Sequence, residues 1–101
     1  MPTNKSPAVI KRLKAFAKEA IAVSDAFSRL GEDDNACDAL ALANIAMTMA
    51  AGLKSGFTPS MYHIYAGPSP HGMDSLLKVA LTPAVAEVWL EMATSALSDI
   101  S

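Results

Sequence analysis

From Ala39 to Met73 the chain carries a single formal charge, Lys54. At an overall charged fraction of 18%, about six charges would be expected there. The first part of this span, ALALANIAMTMAAGL from Ala39 to Leu53, has the length of a helix. A helix that is apolar nearly all round has to be covered on several sides. In a chain of 101 residues, that means a central core helix, a self-association surface or a partner site.

The faces of this helix differ. It is expected to run from about Asn35 to Lys54, with Asp33, Asp34 or Asn35 as its cap and Gly56 as its stop. Ala36, Ala39, Ala43, Ala46 and Ala50 form a stripe of small residues, beside the large apolar stripe of Leu42, Ile45, Met49 and Leu53. Leu40, Met47 and Ala51 extend the apolar arc. Cys37, Ala41, Asn44, Thr48 and Gly52 are left for the last sector. Small residues in a row permit close helix–helix approach, within one chain or across a two-fold axis. Ala39, Leu42, Ala43, Ala46, Met49 and Ala50 are therefore the candidate core or dimer residues.

Two more helices flank it. Ser6-Pro7 reads as a helix start, because proline is tolerated where its missing N–H is not needed. Val9, Leu13, Phe16, Ala20, Val23, Phe27 and Leu30 then recur at three- and four-residue steps, and Gly31 is the expected stop. Near the other end, Thr82-Pro83 either starts a helix or kinks a longer one. Val85, Val88, Trp89, Met92, Ala96 and Ile100 are expected on its inner face, and Glu87, Glu91, Thr94 and Ser98 on its outer face.

Between these lies a segment punctuated by proline and glycine. Thr58-Pro59 and Gly67-Pro68 bracket Ser60 to Tyr65, which predicts a short helix there, although Met61, His63 and Tyr65 also alternate as a strand would. GPSPHG, residues 67–72, is a loop, and Leu76 to Leu81 reads as another short helix. The expected fold is all-α: a small bundle of three substantial helices plus one or two short ones, dimeric, with residues 1–5 a loose tail and 6–101 a single domain. The dimer is expected because a hydrophobic fraction of 51% is hard to hide in so small a monomer.

Composition narrows the function classes. A net charge of −2 disfavours bulk electrostatic binding to nucleic acid or an anionic membrane. One cysteine, Cys37, leaves no internal disulfide and suits a reducing compartment. Lys5, Lys11, Arg12, Lys14 and Lys18 interrupt any apolar leader, and the uncharged helical run of about 15 residues falls short of the roughly 20 that a membrane span needs. The expectation is a cytoplasmic protein without membrane contact. No metal-ligand spacing, glycine-rich phosphate loop or nucleophile–base pair is present, so no enzyme, cofactor or metal is expected. Glu87 and Glu91 share a face but lack the Glu-x-x-His pattern of di-metal bundles.

What remains is interaction chemistry. Residues 5–18 hold five cations and no anion, whereas residues 19–38 hold six anions and one cation. Cations in the first turns of a helix oppose its macrodipole, so helix stability does not account for them. Lys11, Lys14 and Lys18 form a candidate basic edge. Phe57, Tyr62, His63, Tyr65 and His71 form a second candidate surface, since Tyr and His combine an apolar body with a polar tip and the nearby prolines preorganise the segment. The reading is a non-enzymatic regulator, adaptor or inhibitor that binds another protein. A nucleic-acid-associated regulator using the basic helix, and a small-ligand-binding oligomer, are the alternatives.

Overall fold

In the computed structural model, the described residues are 7–55 and 82–100, with backbone and side chains, and 61–65 and 76–80, with backbone only. Three helices, α1 (Pro7–Arg29), α2 (Asp33–Lys54) and α3 (Pro83–Ile100), pack as a small all-α bundle. The expected tail, residues 1–5, lies outside the described residues.

The turn between α1 and α2 follows from Gly31. At φ +77° it occupies the left-handed region that glycine enters without a Cβ clash. The Gly31 N–H then donates to the Ser28 carbonyl at 3.1 Å and the Glu32 N–H to the Phe27 carbonyl at 2.9 Å. Together these two bonds make a Schellman motif, which satisfies carbonyls orphaned at the helix end. The Ser24 hydroxyl donates to the Ala36 carbonyl at 2.7 Å and ties α1 to the start of α2.

α2 begins two residues earlier than expected. Glu32 is its N-cap residue, without a side-chain cap hydrogen bond, so none of Asp33, Asp34 and Asn35 fills that role. Asp33 and Asp34 instead lie in the first turn, where their charge offsets the macrodipole. The longer helix also corrects the expectation from run length. By length and composition α2 could cross a membrane, with a mean hydropathy of 1.5 over its most apolar window, but 67% of that window is buried inside the bundle. A mostly buried core helix passes the same test of length and composition.

All six candidate core residues of α2, Ala39, Leu42, Ala43, Ala46, Met49 and Ala50, are buried within the single chain. They join Val9, Leu13, Phe16 and Ala20 of α1 in one hydrophobic core. Ala41 and Gly52, assigned by sequence to the leftover sector, are buried too. The open sector of α2 is rotated toward Leu40 and Met47, which stand 45% and 52% exposed.

α3 shows a similar rotation. Thr82 caps it, its hydroxyl accepting from the Val85 N–H at 3.1 Å, so the Thr82-Pro83 pair is a start and not a kink. The buried stripe is Ala86, Leu90, Ala93 and Leu97. Val88 and Met92, expected inside, are 58% and 67% exposed. Two alanines in the inner stripe let α3 approach closely, and the bulkier stripe is turned out. Trp89 stays half-buried and meets Phe16 of α1 edge-on, with ring centroids 5.6 Å apart.

The short helices expected over Ser60–Tyr65 and Leu76–Leu81 are not what forms. Met61–Tyr65 is strand β1 and Leu76–Ala80 strand β2, paired antiparallel with Met61 opposite Ala80 and Tyr65 opposite Leu76. Five residues are too few to repay helix nucleation. MYHIY alternates and is rich in strand formers, and LLKVA supplies the backbone partners.

Two outcomes test this core. Ala46→Glu places a carboxylate at a position with no exposed surface and should abolish the folded state; a native helical far-UV spectrum with cooperative urea unfolding in that variant would overturn the assignment. Gly31→Ala meets no neighbouring atom, so its cost should be the backbone strain alone, about 1–2 kcal/mol in urea unfolding.

Candidate functional site

α1 buries one face and divides its flanks. On one flank, Phe16 meets Trp89 of α3, and the Arg12 guanidinium lies 3.7 Å from the Glu87 carboxylate. On the other flank no α3 residue lines the surface, and among the described residues the seam between α1 and α2 is open.

That seam is a groove with two lobes. The larger, about 470 Å3, has Ala17 and Ala50 at its floor and Ile21, Met47 and Ala51 on its sides. The smaller, about 440 Å3, is lined by Pro7 and Ile10. The lobes share Lys14 and Lys54, while Lys18 edges the first and Lys11 the second. The result is an apolar trough with four ammonium groups along its rim. The three lysines singled out from the sequence are thus brought together with a fourth, Lys54, from the far end of α2.

The rim lysines are all exposed. Among the described residues the ion pairs are Arg12–Glu87 and Arg29–Asp25, and neither uses a rim lysine. The acidic residues Glu32, Asp33 and Asp34 sit at the opposite end of α2 from Lys54. Twenty-odd helical residues separate them by about 30 Å, several Debye lengths at physiological salt. Lys54 is therefore not neutralised by the acidic turn of its own chain. The rim charges also repel one another, since Lys11–Lys14 and Lys14–Lys18 are at i,i+3 and i,i+4, where a like-charge pair costs about 0.2–0.5 kcal/mol.

The second sequence-predicted surface is only partly described. Phe57 and His71 lie outside the described residues. Tyr62, His63 and Tyr65 belong to β1, opposite Val79, Lys78 and Leu76 respectively.

No family model, curated protein or solved structure matches this chain. The functional reading rests on the groove itself.

Sequence reasoning found Lys11, Lys14 and Lys18 but missed Lys54, Ile10, Ile21 and Met47. Ile21 and Met47 read as ordinary members of apolar helices. The signal available was that Lys14, Lys18 and Ile21 follow at four- and three-residue steps on α1. Among the described residues no three His, Cys, Asp or Glu side chains cluster as metal ligands would.

The like-charge rim has a measurable signature. Lys14→Glu converts two repulsive pairs into two attractive ones and should stabilise the isolated protein by about 0.5–1 kcal/mol at low salt, less at high salt. Loss of stability on this change, read from urea unfolding, would mean that Lys14 has a structural partner.

Proposed function

We propose that this protein is a non-enzymatic helical interaction module, acting as a regulator, adaptor or inhibitor by binding another protein through the α1–α2 groove. The observation that supports this most is the conjunction of an open apolar trough with four lysines whose mutual repulsion costs the free chain stability. An apolar floor inside a polar rim is the usual anatomy of a protein-binding surface. Phe57, Tyr62, His63, Tyr65 and His71 are proposed as a second contact region. No cofactor or metal takes part in this reading, and the setting is the cytoplasm, away from the membrane.

The protein is also proposed to be a homodimer. The alanine stripe of α2 is occupied within one chain, which moves the dimer contact to the outer face of α3 around Val88 and Met92. Sedimentation at micromolar concentration should give a dimer for the native protein and a monomer for Met92→Glu.

Binding should be tested by pull-down from the native host with the full chain and with Lys14→Glu/Lys18→Glu, followed by a salt titration of the captured complex. A specific protein lost in the variant, with a shallow salt dependence, supports the proposal. A steep fall in affinity with salt, accompanied by recovered nucleic acid, would replace it with the phosphate-binding alternative.

A further inference from the structure

Building on the protein-binding reading of the groove, we infer that its occupant is an acidic amphipathic helix of about four turns, which completes a four-helix bundle.

The α1–α2 pair has two seams. α3 fills one, using small residues, Ala86 and Ala93, at its contact stripe. The open seam offers the same kind of bed, a floor of Ala17 and Ala50, and small floor residues allow a helix axis to come close. A concave trough suits a helix laid lengthwise, whereas a membrane surface would be met by a flat or convex face. The groove follows α1 from Pro7 to Ile21. At 1.5 Å per residue that is about 21 Å, or roughly 14 helical residues.

Charge selects the sequence of the occupant. Lys11 and Lys18 stand along the α1 side and Lys54 at the α2 end, with Lys14 between the two lobes. A helix with apolar residues at i, i+3, i+4 and i+7 and carboxylates flanking that stripe would place anions against each rim. The same charges exclude a two-fold contact of the groove with itself, because an isologous interface would set four lysines against four others.

The test is a selection of displayed 16-residue peptides on the full-length protein, run in parallel on Lys14→Glu/Lys18→Glu and on Ala51→Trp. Ala51 is exposed on the groove side, so its enlargement blocks the trough and leaves the core alone. The expected result is enrichment of sequences with a helical apolar period and flanking Asp or Glu. A synthetic peptide of the winning sequence should become helical on binding and lose about tenfold or more in affinity on each groove variant, equivalent to about 1.4 kcal/mol.

Enriched peptides that are basic, extended or insensitive to both variants would overturn the helix inference while leaving a protein partner for another surface. Flotation with phosphatidylglycerol vesicles that is lost in Lys14→Glu/Lys18→Glu would assign the rim to a membrane. Oligomers growing beyond a dimer, with cross-links from α3 to the groove, would make a second copy the occupant. Each of these two results overturns the inference. The protein-binding reading itself fails separately, when neither the peptide selection nor the host pull-down yields a ligand that the groove variants release.

Discussion

The whole arrangement depends on how closely α1 and α2 approach, and alanine sets that distance. Ala39, Ala43, Ala46 and Ala50 of α2 are buried, as are Ala17 and Ala20 of α1. With so little side-chain volume between the helices, the large residues Leu13, Ile45, Met49 and Leu53 complete the core around the contact. Close packing of this kind tolerates neither a cavity nor an added group well. It also accounts for much of the apolar surplus seen in the sequence: most of α2 is covered by its own chain.

How much of this could be read from the sequence varied with the kind of signal. Three helices, the glycine stop at Gly31 and the alanine stripe were legible because spacing and punctuation agreed. The orientation of α3 was not. Val85, Val88, Trp89 and Met92 form a good apolar stripe, but so do Ala86, Leu90, Ala93 and Leu97, and hydrophobicity alone favours the bulkier set. Which stripe faces inward is decided by the room available at a tightly packed surface, a tertiary quantity that no window of sequence contains. The hairpin was missed for a related reason. Its strands are specified by each other across a separation of ten residues or more, while the prolines beside them suggest local helix starts.

The candidate site was half legible. A run of cations without anions in the first turns of α1 is anomalous on electrostatic grounds alone, and that anomaly led to Lys11, Lys14 and Lys18. Their counterpart, Lys54, stands alone in an uncharged span, at the expected end of the central helix. Only the antiparallel pairing of α1 and α2 carries it to the same rim. Apolar groups beside those lysines gain meaning only from the pairing as well: Ile21 and Met47 are unremarkable on their own helices and become opposite walls of one trough when the helices meet.

The connections between helices also differ greatly in length, and this divides the molecule by the entropy of assembly. Only Leu30, Gly31 and Glu32 separate α1 from α2, whereas α3 begins after residues 55–82. Closing the longer connection costs about 2 kcal/mol more than the shorter one by simple loop-closure scaling. The described lining of the groove comes from the pair with the cheap closure. Variation on the outer face of α3, around Val88 and Met92, can therefore change that surface without touching a groove-lining residue, so the two surfaces of this bundle are free to diverge independently.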